Sequence, residues 1–289
     1  MMRQITGSDT PIVMGLLAIM LAVLFFAQFS MKPRLWLYPL ARQAVMAKLD
    51  YETRNMQEVE TEHFLIKYTA DDADQVALVA EAAEQAYQPV TSLLGYVPAK
   101  KAVLYIYPDR VEMRKAIGWS GDESAMGVYY NGVIQILSPK VWLQKQDTAE
   151  TFIHNGPVAH EFTHLVLDYQ TNGNYSRWFT EGVAQYAEYN INGYEWITPT
   201  NHLTGPLYTL AELDEHFDEL PNQALAYRES LAAVRFIAEN FGVDKLRQID
   251  SSLAKGNKLE TAISVVLGLN YEQYEHDFKK WGIDHMEDR

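Results

Sequence analysis

No cysteine occurs among the 289 residues of this chain. Disulfides are therefore excluded in any compartment, and so is an anchor built on a lipid-modified cysteine. Positive charge is scarce as well: 24 Lys and Arg stand against 38 Asp and Glu, for a formal net charge of −14. Without a Lys/Arg cluster to neutralise phosphates, the composition argues against any nucleic-acid partner. The surplus acid serves solubility and gives a mild preference for basic substrates. No internal repeat and no low-complexity tract interrupts the chain.

Charge is missing altogether from one stretch. Pro11 to Phe29 runs for 19 residues without an ionisable side chain. As a helix it would reach about 28 Å, close to the hydrocarbon thickness of a bilayer. A cleaved secretory signal ends in a small-x-small site after a shorter apolar core, and Phe26-Ala27-Gln28-Phe29-Ser30 is a poor exit of that kind. The expectation is a tail over residues 1–10 and a retained single-pass transmembrane anchor over 11–30. Its orientation has two readings. Lys32, Arg34 and Arg42 follow the run, against Arg3 and the amino terminus before it, which by the positive-inside rule leaves the main body in the cytoplasm. The lack of cysteine instead suits an extracytoplasmic domain on a tether, and we favour that orientation. Residues 31–56, with Pro33, Pro39 and several basic side chains, read as a juxtamembrane connector. It is either a plain linker or the carrier of a short amphipathic helix near Leu40–Leu49 at the membrane surface.

Beyond the connector, about 230–250 residues of ordinary globular composition suit one large domain or two lobes. His63–Tyr68 and Ala102–Tyr107 read as strands. Asp71 or Asp72 is placed to cap a long helix ending near Leu94, and Pro108-Asp109 closes the second strand before a short helix to Ile117. Gly127–Tyr130 and Val133–Leu137 flank Asn131-Gly132, the strongest short hairpin signal. Ile197–Leu207 is turn-rich. Helices follow near Leu210–Asp218, Tyr227–Phe241, Val243–Leu253, Lys258–Leu267 and Tyr271–Trp281. Tyr271, Tyr274, Phe278 and Trp281 recur at helical spacing and read as core. The fold class is α+β: a small mixed sheet with the helices described next, over residues 57–200, then a mostly helical lobe over 201–289.

The chemistry concentrates at His160-Glu161-Phe162-Thr163-His164. Positions i and i+4 of a helix lie about 400° apart, so the two histidines share one face. Two imidazoles there can hold one tetrahedral Zn²⁺ at about 2.0–2.1 Å. Glu161 lies beside them, placed to reach a water on the metal without ligating it. Val158, Ala159, Phe162 and Leu165–Leu167 make this a buried helix, where unpartnered His and Glu would cost roughly several kcal/mol. That cost favours a metal site over a core helix with two satisfied histidines. A third His is not the remaining ligand, because Leu167 and Gln170 occupy the places such a pattern needs. Tyr169–Asn174 is turn-rich, and a second helix starting near Ser176 returns Glu181 to the site from 17 residues beyond His164. Glu188 lies two turns further along the same face. Either carboxylate can ligate in principle; Glu181 is the expected ligand, and Glu188 reads as a solvated acid or an outer partner. Asp168, one turn beyond His164, reads as exposed, with an outer partner of the site as the alternative, and His154 reads as structural.

At these residues the chain resembles a known group. His160-Glu161-x-x-His164 followed by Trp178-x-x-Glu181-Gly182-x-Ala184-x-Tyr186-x-Glu188 is similar to the gluzincin zinc metallopeptidases. It looks most like the bacterial peptidase MA-like domains and, more distantly, the zinc aminopeptidases, over roughly residues 60–282. The resemblance implies that Glu181, the Glu before Gly, is the third zinc ligand. Ala226-Tyr227-Arg228-Glu229-Ser230 is similar to the segment that carries the oxyanion-stabilising Tyr, which implies that role for Tyr227; the bland alternative is a Tyr anchoring a helix start. The aminopeptidases also hold a substrate's amino terminus with Gly-x-Met-Glu-Asn. Here only Ser124-Ala125-Met126-Gly127 is found, so endopeptidase activity is expected over aminopeptidase activity.

The expectation is a membrane-anchored zinc peptidase acting on a peptide or protein substrate. Glu161 would be the general base and Tyr227 an oxyanion donor. The hairpin would border the cleft, either as a plain sheet element or as an edge that pairs with an extended peptide. Two other classes remain compatible: a catalytically silent binding or regulatory membrane protein on the same scaffold, and a zinc hydrolase of a non-peptide amide. The first is disfavoured because His160, Glu161, His164 and Glu181 are all intact.

Overall fold

A computed structural model describes residues 33–119 and 125–287. Pro11–Phe29 lies outside them, and among the described residues no helix is long and apolar enough to cross a membrane. The strands are β1 Gln57–Glu60, β2 Phe64–Tyr68, β3 Ala102–Tyr107, β4 Gly127–Tyr130 and β5 Val133–Leu137. The helices are α1 Pro33–Glu52, α2 Val76–Leu94, α3 Arg110–Ile117, α4 Pro139–Trp142, α5 Ala149–Asn155 and α6 Val158–Thr171. There follow α7 Arg177–Asn192, α8 Leu210–His216, α9 Gln223–Phe241, α10 Val243–Ala254, α11 Leu259–Leu267 and α12 Tyr271–Met286. The class is thus α+β, mostly helical with one small mixed sheet.

The sheet runs β1-β2-β3-β5-β4, with the three middle strands parallel and both outer ones antiparallel to their neighbours. Asn131 (φ 43°) and Gly132 (φ 98°) take the left-handed conformations that a two-residue hairpin demands. They fold β4 back on β5 with Tyr130 opposite Val133 and leave β4 at the edge. Side chains alternate across the central strands. Leu104, Ile106, Ile134 and Ile136 pack into a core with Val79 of α2 and Phe162 of α6. Tyr105, Tyr107, Val133 and Leu137 pack on the other face with Leu49 of α1 and Met113 of α3. Helices therefore cover both faces, as central parallel strands require.

The segment read as a connector is thus part of this packing. It forms a helix longer than Leu40–Leu49, and its Asp50 is ion-paired with the buried Lys67 of β2. Other boundaries also move. Asp71 and Asp72 do not cap α2; they sit in a short 3₁₀ turn, Ala70–Asp72, where Thr69 donates to the Asp72 carboxylate at 3.3 Å. The helix itself starts at Val76. The metal-motif helix runs from Val158, directly after Pro157. The α9 helix begins four residues before Tyr227, at Gln223, because Asn222 caps it by accepting from the Leu225 N–H at 3.2 Å. Three elements went unread in the sequence: α4, α5, and β1, whose Gln-Glu-Val-Glu is exposed throughout and joins by its backbone.

Behind the sheet, α9 lies directly against α7. A Cβ on Gly182 would fall 2.3 Å from the Ser230 carbonyl oxygen, so the glycine after Glu181 lets the two helices approach this closely. Tyr274, Phe278 and Trp281 of α12 are buried in the same core, as their spacing implied.

Candidate active site

Asn172 ends α6 in the left-handed conformation (φ 54°), and α7 begins five residues later with Ser176 as its flanking residue. The returning helix brings Glu181 to the two histidines. His160 Nε2 lies 3.1 Å from Glu181 Oε2, and His164 Nε2 lies 3.5 Å from Glu181 Oε1. One ligand atom from each residue falls within 4.8 Å of the others. The opposite ring nitrogens are held from behind: His160 Nδ1 is 2.9 Å from Glu188 Oε2, and His164 Nδ1 is 2.6 Å from the Thr180 hydroxyl. Both Nε2 atoms therefore converge on one point. Outer partners of this kind orient imidazole ligands and raise their basicity. A two-nitrogen, one-carboxylate set also suits zinc, so the residues present fit that metal. Glu188 is the outer partner, one of the two roles its spacing allowed.

The electrostatics follow from burial and close charges. Burial opposes ionisation of Glu181, but His164 and Arg177 outweigh it and hold the carboxyl well below its ordinary range. Burial opposes a charged His160 as well, and there Glu188 and Glu181 prevail, raising its pKa. Glu161 is buried beside the group, and that burial raises its carboxyl despite the two neighbouring histidines. A backbone hydrogen bond from Tyr129 reaches it. The edge strand comes this near because position 127 is glycine: a Cβ there would lie 2.6 Å from Pro157 Cβ and 2.8 Å from Glu161 Cγ.

Tyr227 reaches the cleft from α9, inside that helix instead of ahead of it. Its hydroxyl is 3.4 Å from Arg177. Burial raises its pKa above the ordinary tyrosine value, so it stays a neutral donor. Arg177 also pairs with the Glu181 carboxylate and, at 3.2 Å, with Asp218. Two recesses share His160, Glu161, Gly127 and Tyr227. One, of about 410 Å³, adds Met126, Tyr194 and Trp196. The other, of about 500 Å³, adds Arg177, Asp218 and Gln223.

Asp168 corrects the reading from sequence: it is fully buried. Arg42 pairs with its Oδ2 at 2.6 Å, and Tyr129 donates to the same oxygen at 2.7 Å. Tyr38 and Tyr175 donate to Oδ1 at 2.6 and 3.1 Å. The cause is α1, which covers a face of α6 that looks free in the sequence. The Arg42 guanidinium also lies 3.8 Å above the Tyr169 ring. Arg177 and Thr180 were missed too. Arg177 stands one helical turn before Glu181, so its spacing was a usable signal. Thr180, Tyr129, Tyr194 and Trp196 had none, since only the return of α7, the hairpin and a loop bring them in. His154 stays outside the group.

The chain is similar to known proteins of three kinds. The Peptidase MA superfamily profile matches residues 82–284. The uncharacterised protein YhcO of Bacillus subtilis is 22% identical over 240 residues, covering 79% of this chain and 72% of that protein. Among solved structures, a variant M1 zinc metallopeptidase from Deinococcus radiodurans aligns with a TM-score of 0.42 at 15% identity, over 77% of this chain and 50% of the other. A two-domain M1 zinc metallopeptidase bound to L-arginine aligns with a TM-score of 0.41 at 15% identity, over 78% and 50%. The chain thus spans about half the length of the solved structures it matches.

Proposed function

Because this chain belongs to the peptidase MA superfamily, we propose that it is a membrane-anchored zinc endopeptidase in which His160, His164 and Glu181 hold the metal. The observation that carries the reading is the convergence of two Nε2 atoms and one carboxylate within 4.8 Å, each histidine braced at Nδ1. Zinc in such a site lowers the pKa of its water to about 7 and polarises a carbonyl.

The protein's own groups do the rest. Glu161 takes a proton at its carboxylate and returns it to the leaving amine; a carboxyl raised by burial suits a base working near neutral pH. The Tyr227 hydroxyl donates to the oxygen on which charge develops. The outer edge of β4 offers backbone groups to an extended peptide, and the recess with Met126, Tyr194 and Trp196 receives an apolar side chain.

Endopeptidase action is supported by the charges in the cleft. Among its described residues, every carboxylate other than Glu161 is already paired: Glu181 with the histidines and Arg177, Glu188 with His160, and Asp218 with Arg177. None is free to hold a substrate's amino terminus. The anchor reading rests on the uncharged Pro11–Phe29 run, with the domain facing outward.

Metal analysis of the purified full chain tests the reading. We expect about one zinc per chain in the wild type, as one such site holds, and none in His164→Ala. Blocked internal peptides should be cleaved, with loss of activity on chelation. A zinc-loaded protein that cleaves no member of a quenched peptide library would favour the silent or non-peptide alternatives, and a wild type without zinc would remove the site.

A further inference from the structure

The α1 helix has two unlike faces. Tyr38 and Arg42 turn inward to Asp168, and Leu49 enters the core beneath the sheet. On the other side Trp36, Leu37 and Leu40 are 65%, 62% and 61% exposed. Positions 36, 37 and 40 fall within about 100° of arc on a helix, so they form one patch. Apolar side chains on a helix that already has a buried face call for a second partner.

Charge indicates which partner. The chain carries 38 Asp and Glu, yet none lies between Asp9 and Asp50, where Lys32, Arg34, Arg42 and Lys48 all fall. Arg42 is spent on Asp168, and Lys48, though 72% exposed, lies 3.7 Å from Glu52, so the excess positive charge of this interval comes from Lys32 and Arg34. The acids that end this interval are compensated: Asp50 by Lys67 and Glu52 by Lys48. An acid-free, Trp-bearing segment on so acidic a protein is complementary to negatively charged headgroups, and Trp favours the boundary between acyl chains and water. Position in the chain agrees, because only three residues separate Phe29, the end of the uncharged run, from the start of α1 at Pro33.

We propose that the outward face of α1, centred on Trp36, Leu37 and Leu40, lies in the surface of an anionic lipid bilayer. The inference rests on the anchored reading above and adds to it. A bare tether leaves the domain free to tumble, whereas a surface-bound α1 does not. Asp168, held by Arg42 and Tyr38 of α1, stands one turn beyond His164 on α6. The bilayer would thereby fix the height and tilt of the cleft, and substrates would be segments presented at a set distance from the lipid.

The absence of cysteine makes the test direct, since one introduced thiol is a unique labelling site. Full-length Leu37→Cys and Leu40→Cys, and the control Val265→Cys at an equally exposed apolar position on α11, would carry an environment-sensitive fluorophore. Each would be reconstituted into mixed phosphatidylcholine–phosphatidylglycerol vesicles and floated on a density gradient. The expected result is co-flotation, with blue-shifted emission at 37 and 40. Quenching there by a lipid-borne nitroxide should be severalfold stronger than at 265. Labels at 37 and 40 that read as aqueous as 265 in floating protein would overturn the surface proposal and leave the anchor intact. Labels shielded from aqueous iodide but untouched by the lipid quencher would overturn it in favour of a second protein copy. Failure to float would remove the anchor and this proposal together, while zinc content and cleavage report on the active site separately.

Discussion

Two polar clusters share one helix, a single turn apart, and they are built on opposite plans. His164 and its neighbours use partners close in the chain: Thr180 and Glu181 lie 16 and 17 residues on. Asp168 takes one donor, Tyr175, from seven residues away, but the other three, Tyr38, Arg42 and Tyr129, lie 130, 126 and 39 residues away. The first cluster opens on a cleft and leaves two Nε2 atoms aimed at a shared point. The second is closed, its carboxylate surrounded by four donors and fully buried. A site for chemistry needs an unfilled position; a structural clamp needs every lone pair satisfied. Placing both on α6 ties the N-terminal helix, the edge strand and the metal face into one unit, with Tyr129 as the link. Its hydroxyl bonds Asp168, while its backbone reaches Glu161.

The sharpest way to separate the clusters is to damage each without touching the other. Glu161→Gln should keep zinc yet lower turnover by about 10²–10⁴, the usual contribution of a positioned base. Metal content and single-turnover cleavage read the two effects, and full-speed cleavage would disqualify Glu161. Asp168→Ala should do the reverse, keeping zinc in the folded protein while lowering stability by about 3–5 kcal/mol, because it strands Arg42 in a buried site. Urea unfolding measures this, and an unchanged midpoint would show that the clamp holds nothing. Tyr227→Phe, which trims a cleft group outside both clusters, should cost about 10²–10³ in rate with little change in stability.

A third buried acid, Glu229 of α9, sharpens the contrast by what it lacks. One oxygen accepts from the Tyr208 N–H at 3.1 Å, while the other has no partner among the described residues. Burial pushes its pKa up to about 8 from 4.5. The folded state thus holds a proton that the unfolded state releases between those values, so the group favours folding fully below about 4.5 and progressively less as pH rises to about 8. Glu229→Gln should flatten the fall in stability across that window and raise stability near its upper end. Thermal melts at several pH values check this, and an unaltered profile would mean that the carboxyl is ionised in the fold. Asp168, with its four donors, should show no comparable gain in its Asn variant.

The pairing of His160 with His164, the hairpin and most of the C-terminal helices were legible in the amino-acid order because their information is local. Histidines at i and i+4 share a face by helical geometry alone, Asn-Gly selects its turn by backbone sterics, and aromatic spacing at Tyr274, Phe278 and Trp281 marks a buried stripe. Glu181 was within reach for the same reason, a short turn and an antiparallel return. Only the tertiary structure decided what faces what across long separations. The sequence has no period that joins Arg42 to Asp168, so a buried clamp looked like an exposed acid and a packed helix like a connector. Nor does any spacing place Gly127 against Glu161, or Thr180 behind His164. Those contacts depend on where the sheet edge and the returning helix come to rest, which is set by close packing summed over the whole core instead of by any neighbour along the chain.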